Sequence, residues 1–305
     1  MRFALDDLLA DVPADQVDEA RSFYNSRAAG RGPSSPEELR ETRARRSAPS
    51  PADPPAIEKM VEAAGVRVPV RIFTPTEGRA RGVYLDIHGG GFYMDSAARD
   101  DGRNRKLADT LHIAVVSVDY RLAPEHPWPA APDDCEAAAL WLVEHADDHF
   151  GSSRLAIGGR SAGATLALAT LLRLRDSGDV DGFTGAALQF GTYDLSTQTP
   201  AGRRIADEYF LQAYVGHVED RTAPDISPIY GDLHGLPPAL LVVGSTDVLL
   251  EDNLAMAGRL SAVGNDGELR IYPESPHGFT GHPTAMARTA LSGIDSWLLE
   301  RFAQP

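Results

Sequence analysis

The segment Gly159-Arg160-Ser161-Ala162-Gly163 lies between an apolar run at 154–157 and an apolar helical stretch at 162–175, so one short turn must carry a buried strand into a buried helix. An α/β architecture, with a central sheet covered by helices on both faces, is the layer arrangement that accommodates such a junction. A second glycine-rich segment, His88-Gly89-Gly90-Gly91, follows another apolar run at 83–87. Either alone is weak evidence in a chain with 28 glycines. Both at strand ends, in this order, supply what acyl transfer most needs: an anion cradle and a nucleophile on a tight turn.

With 305 residues, 43% of them hydrophobic, the chain can bury the core of one α/β domain and an appended subdomain. No apolar stretch approaches the roughly 18 residues needed to cross a bilayer. The opening Met1-Arg2-Phe3-Ala4-Leu5-Asp6-Asp7 turns acidic where a secretory signal would stay apolar, so a cytoplasmic location is expected. A net charge of −15 disfavours nucleic acid and anionic membrane as partners, because both need a concentrated positive surface. The local exception, Arg40, Arg43, Arg45 and Arg46, reads as a solvated helix face. Cys135 is the only cysteine, which excludes an intrachain disulfide and a thiolate metal cluster, and it reads as a core residue. Lys59 and Lys106 are the only lysines, leaving few candidates for Schiff-base chemistry.

Helical spacing runs through residues 1 to about 30, with apolar patches at Leu5, Leu8, Leu9, Val12, Val17, Ala20, Phe23 and Tyr24. Prolines 33, 36, 49, 51, 54 and 55 then interrupt any long helix between 31 and 56, and 48–55 reads as an extended linker. From 57 onward strands at 66–73, 83–87, 113–118, 154–157, 186–190, 239–243 and 268–272 alternate with helices near 98–111, 133–149, 162–175, 251–263 and 284–302. That alternation predicts a mostly parallel sheet with functional groups on loops at the strands' carboxyl ends. Between 191 and 238 no strand is evident, and the helical stretch 203–215 carries Ile205, Tyr209, Phe210 and Tyr214. The expected organisation is therefore N-terminal cap helices and linker at 1–56 and a catalytic body at 57–305. An insertion at 192–235 joins the N-terminal helices as a lid.

A serine hydroxyl is a poor nucleophile until a base sits within hydrogen-bond reach and a third group orients that base. Ser161 has the required setting: flanking glycines on a sharp strand-to-helix turn, at the positive end of a helix dipole. Two other uses of these glycines fail on identity. A phosphate loop requires Lys after Gly163, where Ala164 stands, and a dinucleotide fingerprint requires Gly where Arg160 stands. Among nine histidines, His277 follows the last strand in a turn and is the base, with His282 as its fallback. Asp247, at the end of another strand, completes the chain order Ser, Asp, His, while Glu251 and Asp252 are substitutes that read as first-turn helix residues. Gly89, Gly90 and Ala162 supply the oxyanion N–H groups, and Phe92 and Tyr93, directly after the oxyanion loop, are the candidate substrate contacts. His88 reads as a brace for that loop. His145 and His149 lie one helical turn apart without the Glu of a zinc-protease motif, and read as a helix-end pair; no metal site is expected.

Taken together, these motifs resemble the hormone-sensitive-lipase-like, or family IV, esterases of the α/β-hydrolase superfamily, over about residues 57–300. The resemblance includes the long block from Asp119-Tyr120-Arg121-Leu122-Ala123-Pro124-Glu125 to His126-Pro127-Trp128-Pro129-Ala130-Ala131, and His277-Gly278-Phe279. It implies an α/β-hydrolase fold with a helical cap, no cofactor, homodimers, and activity on esters with small or medium acyl groups. An N-deacetylase or amidase with the same triad, and a non-catalytic small-molecule-binding module on the same fold, are the alternatives. In one departure, Arg160 stands where the family has Asp beside the nucleophile, and Ala164 stands where Gly is frequent. Pairing of Arg160 with Asp119 or Glu125 would keep the elbow folded, whereas an unpaired arginine would bias the cleft toward acidic substrates.

Overall fold

The computed structural model describes residues 4–27, 32–45 and 52–303. Two helices come first, α1 (Ala14–Asn25) and α2 (Pro36–Arg45), before β1 (Ile57–Ala63), β2 (Val66–Phe73) and β3 (Val83–Ile87). Then follow α3 (Asp101–Leu111), β4 (Ala114–Val118), α4 (Ala130–Phe150), β5 (Leu155–Arg160), α5 (Ala162–Ser177) and β6 (Phe183–Gln189). The last third holds α6 (Pro200–Arg203), α7 (Tyr209–Val215), β7 (Ala239–Gly244), α8 (Leu250–Ala262), β8 (Gly267–Tyr272) and α9 (Ala285–Ala303).

The strands form one eight-stranded sheet in the order β1-β2-β4-β3-β5-β6-β7-β8. The β1–β2 and β2–β4 pairs are antiparallel and the others parallel. Every residue of β3, β4 and β7 is buried, which is why these strands read as unbroken apolar runs: parallel strands are covered on both faces. Helices α3 and α9 close one face over Tyr84, Val115 and Leu240, while α4, α5 and α8 close the other over Leu85, Val116 and Ile157. Cys135 lies fully buried in the second layer.

From β3 the chain steps outward to β4, and α4 then carries it back past β3 to β5. The winding direction therefore reverses between β3 and β5, and open parallel sheets bind ligands in the crevice at such a reversal. Both glycine-rich motifs leave the sheet there, since Ile87 and Gly159 are register partners at the adjoining ends.

Three features differ from the sequence expectation. Edge strand β1 was not anticipated: it has a single buried residue, Val61, so its sequence carries no apolar run. Helix α2 forms inside the proline-rich connector because Pro36 occupies its first turn, where no N–H is missed, and Leu39 anchors it in the core. The helical stretch expected at 203–215 is split into α6 and α7. The linker expected at 48–55 lies outside the described residues as far as Pro51, and 52–56 adopt neither helix nor strand. Among the described residues no helix is long and apolar enough to cross a membrane.

Candidate active site

At the end of β5 the backbone turns into α5 through Ser161, whose φ of 53° and ψ of −121° are a strained conformation for a residue with a side chain. A Cβ at either Gly159 or Gly163 would collide with the carbonyl oxygen of Ile87, so close packing against β3 demands glycine on both sides of the serine. The turn is pinned by Ser161 N–H donating to Gln189 O at 2.9 Å and Ala164 N–H donating to Ser161 O at 2.9 Å.

Ser161 Oγ lies 2.9 Å from His277 Nε2, and His277 Nδ1 lies 3.1 Å from both carboxylate oxygens of Asp247. A carboxylate only accepts, so Nδ1 carries the proton and Nε2 is left to accept from the serine hydroxyl. Asp247 is 4% exposed, and its Oδ1 also accepts the Leu249 N–H at 2.8 Å. The Phe190 ring stands edge-on to His277 with centroids 5.1 Å apart. The three side chains thus form one hydrogen-bonded row, delivered by turns after β5, β7 and β8.

Beside this row runs the loop from His88 to Met94. The His88 ring stacks on Tyr120 at 4.1 Å and donates through Nδ1 to Gly89 O at 2.7 Å, while Tyr120 Oη donates to His88 O at 3.0 Å. Burial holds His88 below the usual histidine range, so it is a neutral brace. Gly90, at φ 113°, lets the chain fold back so that its carbonyl accepts from the Tyr93 and Met94 N–H groups at 3.2 and 2.9 Å. Phe92 O accepts from Ala123 N–H at 3.0 Å, and Tyr93 O accepts from Arg43. Gly89, Gly90 and Ala162 line the cleft next to Ser161.

The cleft has a volume of about 800 Å³. Phe92 and Tyr93 belong to its wall but are only 1% and 3% exposed, because Phe92 stacks on Tyr214 at 4.0 Å and Tyr93 lies against Tyr209 and Phe210. Sequence reading missed Phe190, Val248 and Leu249, which also line the cleft. Their signal was available: Phe190 directly follows β6, and the other two directly follow Asp247.

The partner of Arg160 is neither Asp119 nor Glu125 but Asp100, at the end of a 3-10 turn spanning Ala97–Asp100. Asp119 instead accepts the Ala97 N–H at 2.9 Å, and Glu125 pairs with Arg43 at 2.7 Å. Burial raises the Asp100 carboxyl, yet Arg160 and Arg103 outweigh it and hold the group below the usual carboxylate range. Arg43 corrects a second expectation, since it reaches into the body rather than into solvent; Arg40 and Arg45 are exposed, and Arg46 lies outside the described residues.

The substitutes are employed elsewhere. His282 Nδ1 meets Tyr24 Oη at 3.1 Å, and exposed Glu251 faces Arg204 at 3.8 Å. Buried Asp252 accepts the N–H groups of Tyr193 and Asp194, and burial pushes its carboxyl up to about 7. His145 and His149 pack on Trp141, and among the described residues no group of His, Cys, Asp and Glu is arranged to hold a metal ion.

The sequence matches the family described as alpha/beta hydrolase fold over residues 84–281. It is 34% identical over 228 residues to the carboxylic ester hydrolase LipN of Mycobacterium tuberculosis, a match covering 70% of this chain and 61% of LipN. The chain thus spans less than two thirds of that relative. Carboxylesterase NlhH of the same species is 34% identical over 226 residues, covering 70% of this chain and 71% of NlhH. The hyperthermophilic esterase from the archaeon Pyrobaculum calidifontis superposes with a TM-score of 0.75 at 30% identity, covering 80% of this chain and 85% of that one. Esterase LipW from Mycobacterium marinum gives 0.79 at 29% identity, covering 94% and 98%.

Proposed function

Because this chain belongs to the hormone-sensitive-lipase-like (family IV) carboxylesterases of the α/β-hydrolase superfamily, we propose that it hydrolyses carboxylic esters of short to medium acyl groups through an acyl-enzyme on Ser161. The observation that carries this reading is the 2.9 and 3.1 Å row from Ser161 through His277 to Asp247, beside the braced glycine loop.

In the first step Ser161 Oγ attacks the ester carbonyl while His277 Nε2 takes the hydroxyl proton. The carbonyl oxygen becomes an oxyanion, received by the N–H groups of Gly89, Gly90 and Ala162; one such donor is worth about 3–4 kcal/mol in the transition state. Collapse breaks the bond to the alcohol, which leaves with the proton from Nε2. Water then attacks the acyl group, gives its proton to Nε2, and releases the acid as Ser161 Oγ recovers that proton. Asp247 stays ionised and keeps the imidazole in the productive tautomer. The cleft of about 800 Å³, lined in part by Phe190, Phe210 and Leu249, has room for an acyl chain and an alcohol group together. In this reading α1, α2 and the 192–235 insertion act as a cap.

The test is a panel of p-nitrophenyl esters graded by acyl length, run with Ser161→Ala and with a matched acetyl amide. Turnover on acetate to octanoate, falling by about 10⁴-fold or more in the variant, is the expected result. Turnover surviving in Ser161→Ala, or faster on the amide than on the ester, would overturn it.

A further inference from the structure

Arg43 lies on α2, 50 residues before the turn it holds. Its Nε and Nη2 donate to Tyr93 O at 3.0 and 2.7 Å, Nη2 also donates to Ala123 O at 2.7 Å, and Nη1 donates to Glu125 at 2.7 Å. One planar guanidinium thus closes on three acceptors from two separate segments, a geometry that an ammonium group cannot reproduce. Both segments serve the oxyanion loop. Met94 N–H, in the same peptide unit as the Tyr93 carbonyl, donates to Gly90 O at 2.9 Å, so the peptide gripped by Arg43 is one hydrogen bond from the glycine expected to receive the oxyanion. The 119–125 segment supplies the Tyr120 hydroxyl that holds His88 O and the Ala123 N–H that holds Phe92 O.

We propose that Arg43 is a positioning residue that makes the oxyanion loop competent only when helix α2 is docked on the body. The inference rests on the esterase reading above. Without the guanidinium, the Gly90–Met94 turn loses its outer anchor, and N–H groups that must meet a developing charge within a fraction of an ångström become loosely held. The loss falls on the transition state, where the charge exists, rather than on ground-state binding.

The experiment compares wild type, Arg43→Ala, Arg43→Lys and Arg45→Ala on p-nitrophenyl butyrate, with thermal melting of each. Arg45 lies on the same helix, exposed and 3.7 Å from Glu41, and controls for disturbance of α2 itself. In Arg43→Ala, kcat is expected to fall about 10- to 100-fold with KM within about twofold, and methylguanidinium at tens of millimolar is expected to restore part of kcat. Arg43→Lys, the fallback if alanine does not fold, should retain an intermediate kcat, and Arg45→Ala should match wild type. An active wild type whose Arg43 variants keep kcat, lose only KM, or show no rescue overturns the inference alone. A wild type that neither turns over the ester nor reacts at Ser161 with a fluorophosphonate overturns the esterase reading, and this inference with it.

Discussion

Around Ser161 the chain is held by backbone: β3 and β5 pair through register partners from Val83–Leu155 to Ile87–Gly159, and Ser161 and Gly90 are fixed by main-chain hydrogen bonds. The segments proposed to form a roof are held largely by side chains, beside backbone bonds such as Trp128 N–H to Tyr214 O at 3.0 Å. Helix α1 is attached through Gln16 to Thr289, Glu19 to the Ala285 N–H and Tyr24 to His282, helix α2 through Arg43 and Leu39, and α7 through Tyr214 stacked on Phe92. A backbone-built floor tolerates few substitutions because its contacts have no rotamers to adjust. A side-chain-built roof can be re-cut one residue at a time wherever, unlike Arg43, the side chain does not hold the glycine loop.

Removing a buried charge from the floor should have the largest effect on stability. Arg160→Ala leaves the Asp100 carboxylate buried without its main partner, and a loss of about 3 kcal/mol in urea unfolding is expected. Arg160→Met combined with Asp100→Asn should cost less than the single Arg160 change; if it costs more, the pair is not what holds this corner of the floor.

Asp252 joins the two regions, since it holds the Tyr193 and Asp194 N–H groups while Asp194 caps the turn into α6 through Thr199. Its carboxyl is pushed up to about 7, above its unfolded value, so the folded state binds the extra proton between about pH 4 and 7. Its contribution is therefore present at low pH and lost as pH rises through about 7. Asp252→Asn should gain stability relative to wild type at pH 8 compared with pH 5; parallel urea midpoints across that range would show that the carboxyl does not titrate there.

The smallest effect is expected on the roof. Arg204 is exposed and 3.8 Å from Glu251, a pair of little energetic weight. Arg204→Ala should leave the melting temperature unchanged and shift KM by no more than about threefold. A large drop in kcat would show that Arg204 does more than line the cleft.

The same division explains what the sequence made legible. The runs at 66–73 and 83–87 coincide with β2 and β3, because strands buried on both faces or alternating cleanly leave a pattern in neighbouring residues. The residues of the hydrogen-bonded row were legible for a related reason: each lies in the turn that follows a strand. Edge strand β1, with one buried position, leaves no such pattern, and α2 is hidden by prolines whose effect depends on whether they fall inside a helix or at its start. The partners of Arg160 and Arg43 were misread because they are fixed by folds of the chain 60 and 82 residues apart, and no local spacing encodes them.

Since the glycine loop and the serine turn leave adjacent strands with Ile87 opposite Gly159, their separation is ruled by one inter-strand spacing, about 4.8 Å. That interval is a property of the hydrogen-bonded ladder and stays constant whatever covers it. In the proposed reaction, wall residues of the cleft could change while Ser161 and the glycine loop kept that interval, so the face of the carbonyl presented to Ser161 would be inherited with the sheet.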